Sequence, residues 1–458
     1  MPKDEHPVVI ASNRGPISFA SVDGDLVGKR GGGGLVSGLA PLVEDGRATW
    51  IAAAMTDADA QAAADGGGVA TADGLSARLL SLDPAQQAGY YDVISNSTLW
   101  FVHHGLFDLT RDPSYDDTWW NAWESYRNVN AQFGRAIVEH APRNATVLIQ
   151  DYHLTLVAPE VRAERDDLRL VHFHHTPFAG PDGARVIPPF AMQQMLDGLA
   201  SHDACGFHTD AWASNYRATQ RRLGLRDVAT FASTLSSDLG SLNTVADSDE
   251  CESARQELQA LADGRRVIAR VDRMELSKNI VRGFDAYNRL LEQRPDLRGH
   301  VVFLACCYPS RENVPAYATY RQEVEAAAEA VNDRWGDGSW TPVTLMTDDD
   351  YVRSVALLTI YDVLLVNPIR DGLNLVAKEG PAINRNHGQL ALSTQAGAWA
   401  ELSDVADEVF PFDVVQTARA LERCLDRAGE DREFCSSQLK ELVTKRTPAD
   451  WLRDQLQH

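Results

Sequence analysis

A chain of 458 residues exceeds what one hydrophobic core ordinarily serves, so two domains are expected. Its 44% hydrophobic and 24% charged content belongs to a folded globular protein and excludes a disordered one. A formal net charge of −22 argues against a nucleic-acid partner, which would need a basic face, and obliges any anionic substrate to find a local cationic pocket.

No window approaches the roughly 18 uninterrupted apolar residues of a membrane span. The opening MPKDEHPVVI has no basic segment leading into an apolar one, so no signal peptide is expected. Cysteines 205, 251, 306, 307, 424 and 435 form neither a CxxC pair nor a Cys/His cluster, as free thiols in a reducing cytosol would. The expectation is a cytoplasmic protein with small-molecule substrates, no metal, no cofactor and no membrane contact, with a homo-oligomer left open. Among 43 basic residues only positions 3, 29, 278, 378, 440 and 445 are lysine. Against that arginine bias, Lys278 and Lys378 each need a reason.

In chain order, PVVIAS (7–12) reads as the first strand, with Arg14 at its end. GKRGGGGLVSGLAPLV then sets Gly31 to Gly34 before a helix. No Gly-Lys-Ser/Thr follows, so this is no P-loop; it is either a flexible turn or backbone that closes over a sugar or phosphate. STLWFVHH (97–104) reads as a strand and WWNAWESYRNVNAQFGRAIVEH (119–140) as an amphipathic helix. NATVLIQ (144–150) and LRLVHFHH (168–175) read as strands whose ends, QDYHL and HFHHTPF, supply Asp151, His153, His174 and His175. Neither HExxH nor an HxH-plus-carboxylate pattern marks a metal site, and Asp with His suits sugar hydroxyls equally well. For His153 alone, a core histidine is the simpler account.

SSDLGSLNTVADSDECESARQ (236–256) reads as a linker, after which the pattern restarts. RRVIARV, HVVFLACC, PVTLM, DVLLVN and QLALS are strand-like, with NIVRGFDAYNRLLEQ an amphipathic helix among them. Strand and helix in alternation imply α/β architecture, two doubly wound parallel-sheet domains with ligands beyond the C-terminal strand ends and a cleft between. In ARVDRMELSKN, Arg273 ends a strand and Lys278 follows five residues later. Either is an ordinary surface cation alone; together they suit a diphosphate. In DVLLVNPIRDGLNLVAKEG a strand ends near Asn367 and a helix begins near Asn374. Backbone N–H groups from Asn374 to Val376, with the helix dipole, make an anion site; Gly372 permits close approach. Glu379 lies a turn further on, where it can accept from ribose hydroxyls, although an N-cap with solvated charges is the plainer alternative.

These motifs, with SNR, the glycine loop, YY…SNSTLW, QDYHL, HTPF, R(x)4K, RDGLNLVAKE and AGAWAEL in this order, resemble the trehalose-6-phosphate synthase family over nearly the whole chain. Those enzymes are retaining glycosyltransferases of the GT-B fold. The resemblance implies an acceptor domain over 1–238, a donor domain over 239–439 and a last helix, 440–458, crossing back. It places Arg273 and Lys278 on the donor diphosphate with the amides of Leu375 and Val376, and Glu379 on the ribose. Asp371, Gly372, Leu373, Asn374 and His175 would surround the donor sugar beneath Gly33 and Gly34. Arg14, Tyr90 and Arg311 would hold the sugar phosphate of the acceptor, and Asp151 and Trp100 its ring. The implied reaction transfers glucose from a nucleoside-diphosphate glucose to glucose 6-phosphate without metal or enzymatic nucleophile.

The chain departs from the family pattern at several points. Trp50 remains but a second tryptophan is Ala53; AGPDGARVIP and TFASTLSSDL replace family runs; Glu275 and Asn279 stand where Asp and Gly are usual. Where relatives often carry an aromatic beside the nucleobase, this chain has Asp349. A carboxylate suits the adjacent N1–H and N2 amino donors of guanine, so GDP-glucose is favoured over UDP-glucose. Two other readings fit the fold. A pseudo-glycosyltransferase joining a cyclitol nucleotide to an aminocyclitol phosphate is disfavoured by the intact Arg370-Asp371-Gly372-Leu373, and a silent sugar-phosphate sensor by Arg273, Lys278 and Glu379.

Overall fold

All five residues of β1 (Val8–Ser12) are buried, as a strand covered on both faces of a parallel sheet must be. The computed structural model describes residues 7–31, 33–225 and 227–458; the charged opening Met1–His6, Gly32 of the glycine run and Arg226 lie outside the described residues. The chain divides into two units, one extending to Leu235 and taking in Pro448–His458, the other Ser236–Thr447.

In the first unit β1 is followed by the hairpin β2 (Ile17–Val22) and β3 (Asp25–Arg30), then β4 (Ala48–Ala53), β5 (Val69–Ala72) and β6 (Leu75–Leu80). After a long helical stretch come β7 (Thr146–Gln150), β8 (Arg169–His174), β9 (Ala204–Phe207) and β10 (Ala229–Ala232). The sheet order is β10-β9-β8-β7-β1-β4-β6-β5, parallel except for the β5–β6 pair. Strand order reverses at β1, so Arg14 leaves the sheet at a switch point, where ligands collect in such folds. Register pairs Gln150 with Phe173, which sets the residues just beyond β7 and β8 side by side.

The second unit holds β11 (Arg266–Arg273), β12 (Val301–Tyr308), β13 (Val343–Met346), β14 (Val363–Val366), β15 (Gln389–Ser393) and β16 (Asp407–Val409). Their order is β13-β12-β11-β14-β15-β16, wholly parallel. Order reverses between β11 and β14, the strands that lead into the Arg273–Lys278 segment and the RDGLNLVAKE elbow. The fold is α/β with two parallel sheets.

Three sequence expectations change. Ser97–His104 is not a strand: residues Ala88–Leu99 form a wide π-type helix that continues as Trp100–His104. Hydroxyls of Ser95, Ser97 and Thr98 each donate to the carbonyl five residues earlier, at 2.7–2.9 Å, bridging the widened turns. A short buried apolar run has no alternation to reveal which element it forms. The supposed linker is two helices of the second unit, Leu239–Ala246 and Asp249–Ala262, capped by Asp238 and Ser248. Asp238 and Ser248 are the N-caps, residue types that read in sequence as loop chemistry. The division falls at Leu235 rather than 238, and the chain rejoins the first unit from Pro448, because Gly429–Thr444 is a separate helix of the second.

The last helix, Pro448–Gln457, seats Trp451 with no solvent exposure against the helix Gly34–Glu44. A Cβ at Gly38 would stand 2.8 Å from the Trp451 ring, so the contact needs glycine.

Buried histidines run through the first unit. His172 contacts His202 at 5.2 Å and His174 at 5.8 Å between ring centres, and His174 meets His103 at 4.8 Å. Burial holds the pKa values of His172 and His174 well below the ordinary range, that of His202 to about 4 and that of His175 to about 3. Folded, these rings are neutral; unfolded, they take protons near their ordinary pKa of 6.5. Their contribution to stability is therefore complete above about pH 6.5 and falls by about 1.4 kcal/mol per pH unit per histidine below it. Thermal unfolding followed from neutrality to about pH 5 should show a steep loss of Tm. A flat profile would contradict the neutral cluster.

Candidate active site

In the second unit β11 ends at Arg273 and the chain winds through a short turn, Leu276–Lys278. Lys278 Nζ lies 2.7 Å from Asp371 Oδ2 and 3.6 Å from Asp272 Oδ1. Burial works against the ammonium, but Asp371 and then Asp272 outweigh it, so its pKa is raised and it stays charged. Deeper, Arg270 is fully buried, with Nε 3.1 Å from Asp272 Oδ2 and Nη1 donating to Asn367 Oδ1 at 2.6 Å. Burial pushes the Asp272 carboxyl up, against the pull of Arg270 and Lys278. Positive and negative groups thus alternate from the core outward to Lys278.

Beyond β14 the elbow lies against residues 395–398. Asp371 N–H donates to Gln395 O at 3.1 Å, and Ala398 N–H to Leu373 O at 2.8 Å. A Cβ at Gly397 would come within 2.0 Å of Gly372 O, which explains the glycine in AGAWAEL. Asn374 takes a left-handed backbone, φ 76°, and works in two directions. Its Oδ1 accepts from Ala377 N–H at 3.1 Å, capping the helix Val376–Ile383, and its Nδ2 donates to Asp371 Oδ2 at 3.2 Å. First-turn N–H groups of a helix lack partners within it, so this end, with Leu375 and Val376, is suited to an anion. Gly372 and Leu373 are buried beside it. Glu379 accepts from Ser237 Oγ at 3.1 Å, and burial raises its carboxyl pKa.

Lys378 has a different reason for being lysine. Its side chain is 3% exposed and Nζ lies 2.6 Å from Glu401 Oε2, an internal ion pair. Burial lowers its pKa and Glu401 resists the shift.

Asp349 is exposed, three residues past β13. Arg353 lies 3.4 Å from Asp348 and 3.4 Å from Asp350, the two neighbouring carboxylates. The phenol of Tyr308, at the end of β12, has its pKa raised by burial, with Arg273 opposing the shift and Asp349 adding to it. Arg311 also belongs to the second unit; its Nη1 donates to Tyr317 OH at 2.8 Å from a left-handed backbone, φ 54°.

In the first unit Arg14 is exposed and donates to Tyr91 OH at 3.1 Å, its guanidinium 5.9 Å over that ring. Tyr90 is fully buried and donates instead to Asn13 Oδ1 at 2.9 Å. Asp151 sits just past β7 at φ 72°, a conformation carboxylate residues tolerate better than most. Its Oδ1 accepts from the backbone N–H of Tyr152 at 3.0 Å and of His175 at 3.2 Å, and His153 Nδ1 is 3.9 Å from Oδ2. His153 stacks on Tyr91, so Arg14, Tyr91, His153 and Asp151 follow one another along the strand ends. His175 Nε2 bonds Gln150 Oε1 at 3.0 Å, and Gln150 Nε2 donates to Gln455 Oε1 at 3.0 Å, tying the ring to the last helix. Trp100 stacks on His104 with ring centres 3.9 Å apart. Gly33, at φ 100°, precedes Gly34 at the start of its helix. Among the described residues no group of three His, Cys, Asp or Glu is placed to hold a metal ion.

The pattern of glycosyltransferase family 20 matches residues 6–458. The chain belongs to glycosyltransferase family 20. Trehalose-6-phosphate synthases of this kind from Mycolicibacterium smegmatis and Mycobacterium sp. (strain JLS) are 30% and 31% identical to it, over 97% of this chain and 90% and 94% of theirs. The crystal structure of an alpha,alpha-trehalose-phosphate synthase (UDP-forming) from Burkholderia vietnamiensis superposes with TM-score 0.85 at 25% identity, covering 99% of this chain and 100% of that one. A Burkholderia xenovorans synthase in complex with glucose-6-phosphate gives 0.83 at 26%, over 98% and 100%. The fold of this family-20 chain is therefore GT-B. No helix among the described residues is long and apolar enough to cross a membrane.

Within each unit, the family-20 residues singled out in sequence gather at the C-terminal ends of parallel strands. Arg273, Lys278, Asp371 to Val376 and Glu379 do so in the second unit, Arg14, Asp151 and His175 in the first. Their supports were not anticipated. Gln150, Gln455, Ser237 and Tyr91 are their hydrogen-bond partners; Gln150 inside QDYHL and Tyr91 inside the YY motif carried a signal, Gln455 and Ser237 none. For Lys378 the expected outcome of Lys378→Met is a stability loss of about 3 kcal/mol in denaturant unfolding, since Glu401 loses its internal partner. An unchanged midpoint would refute the ion pair.

Proposed function

We propose that this chain is a trehalose-6-phosphate synthase, transferring glucose with retention from a nucleoside-diphosphate glucose to glucose 6-phosphate. The observation that carries the reading is the cationic strand-end site of the second unit. Arg273 ends β11 and Lys278 follows it, and the helix start at Asn374–Val376 follows β14, the hydrogen-bonded neighbour of β11. The names of the relatives supply the product, trehalose 6-phosphate, and the complex of the Burkholderia xenovorans synthase supplies glucose 6-phosphate as acceptor.

In this reading Arg273 and Lys278, with the amides of Leu375 and Val376, hold the diphosphate, and Glu379 holds the ribose. Asp371, Gly372, Leu373, Asn374 and His175 surround the donor glucose, and Gly33 and Gly34 cover it. Arg14, with Tyr91 bonded to it, and Arg311 hold the acceptor phosphate, whereas the expected Tyr90 is buried with its hydroxyl on Asn13; Trp100 and Asp151 contact the acceptor ring. The anomeric C–O bond to the diphosphate breaks, its electron pair passing to the leaving phosphate oxygen. The acceptor's anomeric oxygen bonds the same face, and its proton passes to that phosphate. Preorganised cations stabilise the charge that develops on the leaving group, and the neutral ring of His175 adds none. Arg273→Ala should lower turnover by about 3 kcal/mol, roughly a hundredfold, in an assay of nucleoside-diphosphate release. Arg14→Ala should mainly raise the KM for glucose 6-phosphate. Release with an aminocyclitol phosphate but not with glucose 6-phosphate would favour the cyclitol-coupling alternative, and binding without release the silent sensor.

For the donor base, the exposed Asp349, just past the end of β13, supports guanine, whose paired N1–H and N2 donors suit a carboxylate, whereas uracil offers one N–H between carbonyls. The expected result is faster turnover with GDP-glucose than with UDP-glucose, and a loss of that preference in Asp349→Ala. Faster turnover of UDP-glucose by the unaltered chain would overturn the assignment.

A further inference from the structure

We propose that Glu275 is a positioning residue that holds the guanidinium groups of Arg273 and Arg311 together, linking donor and acceptor phosphate binding through one carboxylate. The inference rests on the transfer reaction proposed above and deepens it. Glu275 has a fully buried side chain, whereas that of Arg273 is 42% exposed. The carboxylate therefore acts through its arginines and not on a ligand.

The geometry converges on one oxygen. Glu275 Oε1 lies 3.1 Å from Arg273 Nη1 and 3.9 Å from Arg311 Nε, and accepts from Ser310 Oγ at 3.4 Å. Arg311 is fixed from its other side by the bond to Tyr317 OH, with its guanidinium 5.6 Å over the Tyr317 ring. The backbone of Glu275 also shapes the donor turn: its N–H donates to Arg273 O at 2.7 Å and its carbonyl accepts from Lys278 N–H at 2.9 Å. Two like charges near a buried carboxylate keep their places only while it is ionised. Replacing it by an amide leaves them to repel one another and to reorient. A side chain with only a packing role would affect stability and leave both ligand affinities alone.

The test compares the full chain with Glu275→Gln and Glu275→Asp. Measured are the KM values for nucleotide sugar and glucose 6-phosphate, kcat, calorimetric binding of nucleoside diphosphate and of glucose 6-phosphate, and thermal unfolding. Expected for E275Q is a rise of roughly tenfold or more in both KM values, the loss of one charge-assisted contact at each phosphate, with partial recovery in E275D. Unchanged KM values with a lowered Tm, or a change for one ligand alone, would overturn the proposal. If E275Q does not fold, E275D decides in the same way: both constants raised supports it, neither raised refutes it. Absence of turnover in the unaltered chain would defeat the synthase reading instead. The binding isotherms of the two ligands would then judge Glu275 by themselves, weakened together or not.

Discussion

A strongly acidic protein that is to offer cations to an anionic ligand must keep them from being lost among its own carboxylates. The arrangement around Lys278 shows how this is managed. Asp371 and Asp272 flank the ammonium, Arg270 neutralises Asp272 from inside the core, and Asn367 completes Arg270. Burial works against the charged forms of Lys278 and Asp272, and the pull of Asp371 and Asp272 holds the Lys278 ammonium charged. The elbow, the β11 turn and the helix start are held in register by that chain of charges. Asp371 belongs both to the pair and to the cap network through Asn374.

Backbone geometry makes the same point without charge. Several chemistry-bearing positions lie in left-handed conformations that ordinary side chains avoid: Asp151, Asn279, Arg311 and Asn374. Each occurs where a strand has ended and the chain turns sharply. Asn279 shows what holds such a residue in place. Its Nδ2 donates to Asn367 O at 3.0 Å and to Pro411 O at 2.7 Å, while its Oδ1 accepts from Arg282 at 2.8 Å. With three side-chain bonds, asparagine here braces the β14 exit as well as turning the chain, which explains a polar residue where the family usually has glycine.

What was legible in the sequence follows from what kind of information each feature carries. The strands next to the site were legible because buried parallel strands are apolar runs ending abruptly in polar residues. Arg273, Lys278 and the 371–379 elbow could be found because their chemistry is clustered within a few positions. Ser97–His104 was misread because a short buried run has no period, and 236–256 because helix caps and linkers use the same residues. The partners of the site residues were out of reach for another reason. Gln150 and Gln455 meet only through folding, 305 residues apart in the chain, and neither segment announces the other. Lys278 and Lys378 looked alike against the arginine background, and both are paired and largely buried; what separates them is place, Lys278 in the turn after β11 between Asp371 and Asp272, Lys378 inside a helix against Glu401.

The net charge bears on how the ligands are recognised. At the ionic strength of a cell, charges more than about 8 Å apart are largely screened, so the overall negative field reaches an approaching phosphate only weakly. Within a contact distance, in a medium less polar than water, one cation outweighs many remote anions. For the proposed reaction, selectivity for phosphates must therefore come from short, oriented contacts, and long-range steering cannot supply it. That places the demand on side chains whose direction is fixed before the ligand arrives. Lys278 is held between two carboxylates, Arg311 between Tyr317 and Glu275, and Arg14 against Tyr91. In each case the acidic or aromatic partner sets the cation's geometry, and where it is acidic it also lowers the local charge. An acidic protein can thus bind anions with few basic groups, provided each one is pinned.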